Sequence, residues 1–321
     1  MMLQSPAQIE VWIASMAKER SARVGLIGDV GGHLGALTKA LVDLGVDVAA
    51  AVVPDDLTIV QVGDLIHRGP DSAGVVALVD RFLQRDPARW VQLVGNHESQ
   101  LLPGGTSFFP EPQTDAACGA TVRGWWRNGL LRVAYAFESA GVAVGQPGGR
   151  GVATVGAGGV LVTHAGLSCG AWRILGAPPD AAGVVARLDA DKAELPLIVW
   201  REGSVITGAH DAAAGPLWAS AAESVASWVE AGVVPPFSQV FGHSAIFRWE
   251  PGERPRWDPE IAKLLESGAL TGAVDEGARH VRLQFAARDG ARGAGPTVWA
   301  IDPGHGVDGA ARWAPLLLPR V

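Results

Sequence analysis

A chain of 321 residues, 48% of them apolar, is long enough to bury one large core or two modest ones. Its net charge of −7 excludes a global basic field for nucleic acid, and its two cysteines, Cys118 and Cys169, make neither a metal-ligand spacing nor a disulfide framework. No apolar run is long enough to span a bilayer, and stretch 6–20 is an amphipathic helical pattern with Glu10, Lys18, Glu19 and Arg20 rather than an export signal, so a reduced, cytoplasmic protein is expected.

The first apolar run, RVGLIGD, stops at Asp29. Leu34, Leu37 and Leu41 then return at helical spacing, which predicts a helix over about 34–45. LTIVQVGD stops at Asp64, a second helix is predicted over 71–85, and WVQLVGNHE stops at Asn96 and His97. Residues 99–158 are looser: a Pro- and Gly-rich loop at 101–115, a helical stretch or two over 121–141, and a Gly-rich turn region at 145–159. That last region lacks the Lys-Ser or Lys-Thr of a phosphate-cradling loop and the spacing of a dinucleotide fingerprint. GVLVTHAG stops at His164, Ala-rich helical sequence with Trp218 and Trp228 fills 201–232, and SQVFGHS stops at His243. Two apolar runs around a Gly-rich connection at 280–302 predict a hairpin, and its second run, TVWAIDPGH, stops at Asp302 and His305.

Short Val-, Ile- and Leu-rich runs alternating with helices predict an α/β fold with polar residues at the carboxyl ends of buried strands. No linker or repeat divides the chain. One domain over 1–321 is expected, with 99–158 as an elaboration and 275–321 as a C-terminal hairpin and closing strand. Six of the eight histidines, His33, His67, His97, His164, His243 and His305, lie at or just after the apolar runs. Asp, Asn and His at successive strand ends offer oxygen and nitrogen ligands that suit Mn, Fe, Zn or Co.

Five blocks in order, GDVGG at 28, GDLIHRGPDS at 63, GNHE at 95, THAGL at 163 and GHS at 242, resemble the calcineurin-like metallophosphoesterase superfamily. The similarity is greatest to the branch of phosphoprotein phosphatases and symmetrical diadenosine tetraphosphatases, and AIDPGHG resembles that family's closing strand. The resemblance implies an αββα sandwich of two packed mixed sheets flanked by helices. It implies two divalent metal ions. Asp64 would bridge them, Asn96, His164 and His243 would complete the more secure second site, and Asp29 would hold the first. Arg68 would grip phosphate oxygens, with Asn96 and Arg201 as further phosphate contacts, and His97 would protonate the leaving group. The implied reaction is in-line attack of a metal-bound hydroxide on a phosphomonoester or phosphoanhydride.

Two positions depart from the family blocks. Gly31 stands where a first-metal histidine is usual, and His67 stands where an aspartate usually orients the acid histidine. Three accounts follow: His67 or His33 replaces the lost ligand, Asp29, Asp64 and waters hold the first ion loosely, or the site keeps one metal or none. In the last case the protein is a catalytically degenerate binding or scaffold member of the fold. Glu98 is a candidate to orient His97 in place of the lost aspartate. Trp125, Trp126, Trp200 and Trp218 are candidates to rim the cleft, although core packing explains such residues as well. Cys169 is expected to be a buried small residue and His305 a structural or supporting one. Expected partners are a phosphorylated small molecule, a nucleotide or a phosphoprotein; no membrane is expected, and an acidic surface argues against nucleic acid.

Overall fold

The computed structural model describes residues 22–109, 116–139, 142–146, 149–153, 158–194, 197–249, 255–286, 295–304 and 313–321. The helix expected over 6–20 and the position of His305 lie outside these residues.

The first half runs β1 (Arg23–Ile27), α1 (Leu34–Asp43), β2 (Leu57–Gln61), α2 (Ser72–Arg85), β3 (Trp90–Leu93), α3 (Asn96–Ser99), α4 (Ala116–Arg127), β4 (Leu131–Arg132) and β5 (Ala134–Phe137). It continues with β6 (Val142–Gln146), β7 (Gly149–Ala153), β8 (Val160–Thr163), α5 (Cys169–Ile174), α6 (Ala181–Glu194), α7 (Leu197–Trp200), α8 (Ser204–Thr207) and α9 (Ala221–Glu230). The last part is β9 (Ser238–Phe241), β10 (Phe247–Arg248), β11 (Arg256–Trp257), α10 (Pro259–Glu266), β12 (Leu270–Asp275), β13 (His280–Phe285), β14 (Thr297–Ala300) and β15 (Leu316–Pro319).

Two mixed sheets dominate, one ordered β15-β1-β2-β3-β4 and one ordered β12-β13-β14-β9-β8-β5. Strands β1 to β4 are parallel, as are β8, β9 and β14, so their carboxyl ends point the same way within each sheet. Every second residue of these strands enters one apolar layer: Val24 and Leu26, Val60 and Val62, Val91 and Leu93 from the first sheet meet Val160, Val162, Val240 and Trp299 from the second. The alternate residues, among them Ile27 and Ile59, join a second core with helix residues such as Leu37, Leu41, Val75 and Val79. Strands covered on both faces read as unbroken apolar runs, which is why they were visible without alternation. The result is two packed mixed sheets with helices outside, as the resemblance implies.

The middle differs in detail from the expected helices. Over 121–141 helix α4 ends at Arg127 and two strands follow. Gly129 takes φ +70°, Leu130 N–H bonds to Trp125 O at 2.9 Å and Gly129 N–H to Trp126 O at 3.2 Å, a left-handed cap that turns the chain out of the helix. In 201–232 the helical sequence forms two separate helices. Gly208, at φ +70°, closes α8, and Ser220 with Glu223 opens α9 as a reciprocal capping box.

The sheets touch through backbone where β1 and β14 end. A Cβ on Gly28 would lie 2.0 Å from the Ile301 carbonyl oxygen. Gly28→Ala should therefore lower unfolding stability by about 2 kcal/mol or more. Gly35→Ala, on an exposed helical position with nothing within 4 Å of the new Cβ, should raise it by up to about 1 kcal/mol. Urea melts of the two variants check both signs; an unchanged midpoint for Gly28→Ala would contradict the contact.

Candidate active site

The polar residues that end the strands gather where the two sheets converge. Asp29 follows β1, Asp64 follows β2, Asn96 opens α3 after β3, His164 follows β8, His243 follows β9 and Asp302 follows β14. Their backbone is unusual. Among the described residues seven non-glycine residues have positive φ, and Asp64, His67, Arg68 and His243 are four of them. Such residues hold a disfavoured conformation only where neighbours enforce it.

The enforcing group is Glu98. Its fully buried carboxylate accepts N–H bonds from Asp64 at 2.8 Å, Leu65 at 2.8 Å, Ile66 at 3.3 Å and Gly95 at 2.9 Å. His97 N–H donates in turn to Asp64 Oδ1 at 3.0 Å. The loops also touch directly, since a Cβ on Gly95 would lie 2.2 Å from Asp64 N. On the other side, Val30 and Gly31 donate their N–H groups to Asp64 O at 3.0 and 2.7 Å.

Acceptors crowd one point. His164 Nδ1 lies 3.0 Å from Val62 O, so it carries the proton and leaves the Nε2 lone pair free. That lone pair faces Asn96 Oδ1 at 2.9 Å and Asp64 Oδ1 at 3.4 Å. Asn96 Oδ1 lies 3.1 Å from His243 Nδ1 as well. Turned by 180°, the amide would donate its NH2 to Asp64, His164 and His243; the oxygen-inward orientation is the one that suits a cation at their centre. Ligand atoms of Asp64, His164 and His243 all lie within 4.8 Å of one another. These spacings match the edges of a coordination shell with bonds of roughly 2.0–2.2 Å.

The carboxylates and imidazoles are also set up for a cation. Burial, then Glu98, pushes Asp64 well above the usual carboxylate range. Burial, then Asp302 and Asp64, does the same to Asp29, and burial raises Asp302. Burial lowers His164 to about 3 and holds His243 well below its ordinary value, so both rings are neutral and free to ligate. Beside this cluster stand Arg68 and His97. The Arg68 guanidinium lies 3.4 Å from His97 Nε2, and burial, then Arg68, lowers His97 to about 2.

A family model for calcineurin-like phosphoesterases matches residues 22–247. The chain belongs to the calcineurin-like phosphoesterase family. No curated protein matches it. Among solved structures it is similar to a cold-active protein-tyrosine phosphatase of a psychrophilic Shewanella species, at 16% identity over 69% of this chain and 65% of the other, with a TM-score of 0.38. The phosphoesterase chain thus spans less than two thirds of that protein. It is also similar to a Saccharomyces cerevisiae serine/threonine phosphatase, at 15% identity over 99% of this chain and 91% of the other, with a TM-score of 0.38. A candidate diadenosine tetraphosphatase is 23% identical over 70% of this chain and 75% of the other, with a TM-score of 0.33.

The structure gives this phosphoesterase's expected site residues different surroundings. Asp64, Asn96, His164 and His243 share one cluster. Asp29 lies against it, with His243 N–H donating to both carboxylate oxygens at 3.1 Å, but outside the three-residue ligand group found among the described residues. His33 sits at the entry of α1 and is outside that group too. His67 turns to His97 rather than to the cluster, with the two Nδ1 atoms 2.7 Å apart. Arg201 is exposed and grips Asp211 with Nε at 2.6 Å and Nη2 at 3.1 Å. Glu98 spends its carboxylate on backbone N–H groups, so it braces the loops instead of orienting the His97 ring. Cys169 is buried.

Of the four tryptophans, Trp218 packs edge-on to His243 with centroids 6.3 Å apart. Trp125 donates Nε1–H to Asp80 at 2.8 Å, and Trp126 packs on Trp200. The aromatic wall comes instead from Phe108 and Phe109, whose rings lie 5.0 and 5.1 Å from His97. They lie in the loop predicted over 101–115, where an adjacent Phe pair shortly after GNHE is their sequence signal.

The cluster fits one cation through Asp64, Asn96, His164 and His243. Gly31 brings no donor to a first site, and its position, with φ +53°, has only ordinary contacts with His67 O and Arg68. Burial favours the protonated form of Asp64, so a cation at the cluster competes with a proton there. Proton release makes binding tighten as pH rises. Mn2+ should therefore raise the melting temperature more at pH 8 than at pH 5.5, and Asp64→Asn should flatten that difference. Thermal melts with and without the ion test this; an equal shift at both pH values would contradict it.

Proposed function

We propose that this phosphoesterase is a metal-dependent hydrolase of phosphoric monoesters or anhydrides. The observation that carries the reading is the convergence of ligand atoms from Asp64, His164 and His243, all within 4.8 Å of one another, with the Asn96 amide set against His164 Nε2 at 2.9 Å and His243 Nδ1 at 3.1 Å. A carboxylate, two neutral imidazoles and an amide oxygen, which the side chain can turn inward, would suit a divalent cation. When bound there, the cation supplies Lewis-acid activation of water and neutralises phosphate charge.

The chain's own groups do the rest. Asp64, Asn96, His164 and His243 hold the cation. Asn96, a neutral ligand, fills coordination without adding charge against an anionic substrate. Arg68, exposed at the mouth of the cluster, offers a planar fork to phosphate oxygens, and a phosphate there would draw it away from its long contact with His97. His97 Nε2 lies 3.8 Å from Asp64 Oδ2, so its ring edge faces the same space as the cation ligands. That placement suits a donor to the leaving oxygen. The walls of Phe108, Phe109 and Trp218 exclude water on one side. A phosphorylated small molecule, a nucleotide and a phosphoprotein all satisfy these groups. A second ion near Asp29 would meet carboxylate oxygens from Asp29 and Asp64, a hard set that suits Mg or Mn held with waters.

A degenerate, non-hydrolytic reading draws on the two departures from the family blocks, Gly31 and His67. The test separates the two. Purified protein equilibrated with Mn2+ and desalted should retain one ion per chain by elemental analysis. It should hydrolyse p-nitrophenyl phosphate or a nucleoside polyphosphate. His164→Ala should lose the ion and at least about a hundredfold in kcat. Retained metal with no turnover on monoesters, anhydrides or phosphopeptides would favour the binding protein; no metal would remove the catalytic reading.

A further inference from the structure

A cavity of about 650 Å3 opens between the loop after Gly203, the first turn of α9, the end of β10 and the start of α10. Two of its lining residues join it to the cluster: Ser244 follows His243, and Gly304 comes two residues after Asp302. Its wall is built in advance. Glu223, wholly buried, accepts N–H bonds from Ser204 at 2.9 Å, Asp211 at 2.8 Å and Ser220 at 2.7 Å. One carboxylate thus ties three points of the 204–220 loop to α9. A Cβ on Gly203 would lie 2.5 Å from Glu223 Oε2, so the loop begins in direct contact with its brace.

The lining sets the chemistry of an occupant. Ala221, Ala222 and Ala245 leave room that larger side chains would fill, and Trp249 supplies a flat apolar wall. The Arg279 guanidinium lies 5.5 Å over the Trp249 ring and is outside the lining, so the cavity meets the indole from another side. The ionisable groups of the wall are Arg248, Asp258, Glu260 and His210, with Arg248 3.6 Å from Asp258. One guanidinium against two carboxylates gives no favourable field for a chain of further phosphates. The Ser244 hydroxyl oxygen is withdrawn from solvent and has no hydrogen-bond partner among the described residues. A buried hydroxyl in that state is costly, and a ligand hydroxyl or carbonyl beside it removes the cost. A neutral, flat group with polar edges fits these surroundings, in a volume typical of small-molecule sites. A nucleoside has that chemistry: a base for the Trp249 wall, and hydroxyls and base N–H groups for Ser244 and Glu260.

We propose that this cavity is a nucleoside subsite, which receives the neutral base and sugar of a nucleoside monophosphate whose single phosphate lies at the cluster. The proposal rests on the hydrolytic reading above for turnover, but not for binding. In turnover the P–O bond breaks with its electron pair going to the ribose oxygen. Water supplies both the hydroxyl that ends on phosphorus and the proton that ends on the nucleoside, so the products are nucleoside and phosphate. Trp249 and the small residues of α9 select the leaving group and take no part in the bond change. Nucleoside di- and triphosphates would bring their inner phosphates toward Asp258 and Glu260, and the monophosphate is therefore the favoured form.

Two measurements test it. The first compares kcat/KM of the Mn2+-loaded protein for adenosine and guanosine 5′-monophosphates with that for ribose 5-phosphate, which has the same ester and lacks the base. The nucleotides should be favoured by about tenfold or more. Ala222→Phe, which fills the cavity, should bring the ratio toward one, and Trp249→Ala should do the same if Ala222→Phe fails to fold. Equal use of ribose 5-phosphate by the wild type overturns the proposal with no variant needed. So does a nucleoside triphosphate or a phosphopeptide used faster than the monophosphates. The second measurement is saturation-transfer NMR with adenosine alone, a probe that carries no phosphate and needs neither metal nor turnover. Adenosine should receive saturation from the wild type and lose most of it in the same variants. No transfer from the wild type overturns the subsite even where nucleotides are hydrolysed. Absence of any hydrolysis sinks the hydrolytic reading and leaves adenosine binding to decide this one.

Discussion

The Glu98 carboxylate, wholly withdrawn from solvent, accepts backbone N–H groups from both loops that build the site. A buried charge is costly unless it is fully hydrogen-bonded, and here one residue satisfies four donors that would otherwise be orphaned beneath the strand ends. Burial still raises the Glu98 pKa, against the opposing pull of those N–H bonds. The bond set fixes the turn 63–66 at the positive φ of Asp64, and thereby aims Asp64 at Asn96 and His164. Without it, Asp64 would relax toward an ordinary β conformation and the two loops would part. The order of dependence runs from Glu98 to the loops, and from the loops to the ligands.

The same convergence places a load on the molecule. Asp29, Asp64, Glu98 and Asp302 are all raised above their ordinary range by burial, and the carboxylates add to one another's load. The nearby imidazoles are lowered, so no cationic histidine offsets them. Arg68 is the cation that acts on several of these groups at once, and it stands at the exposed mouth. Local electrostatics of this kind disfavour the folded chain by itself and favour it once a divalent ion is present. A site that is strained alone and relaxed with its ligand is expected where binding, rather than folding, set the residues.

Much of this was legible in one dimension. The strands announced themselves because both faces are covered, so each reads as a short apolar run, and each run stops at the residue it delivers to the site. Strand ends in open α/β sheets pointed to a set of Asp, Asn and His residues, and the resemblance of the five blocks singled out Asp64, Asn96, His164 and His243 among them. What escaped reading depends on partners distant in sequence. Nothing in GNHE says that Glu98 points back to a loop 33 or 34 residues earlier. The Phe108–Phe109 pair looked like loop filler because loops carry no period. The helix break at Gly129, by contrast, was available from the Asn-Gly pair at 128–129, and its cap shows the mechanism.

The two departures from the family blocks invite a single explanation, a histidine lost at 31 and regained at 67. The geometry separates them. Gly31 belongs to a turn at φ +53° followed by Gly32 at +74°, and a Cβ on Gly32 would come within 2.9 Å of His67 O. The Gly31 and Gly32 carbonyls accept from Gly69 and Asp71 N–H at 2.7 and 3.0 Å. The glycines thus allow the first loop to lie flat against the loop that carries His67 and Arg68. His67, for its part, is committed to His97, Gln100 and Phe109. One position governs how closely two loops pack; the other sets a buried ring between His97 and Phe109. Gly31 and His67 are therefore held by different contacts, loop against loop at the glycines and ring against ring at the histidine.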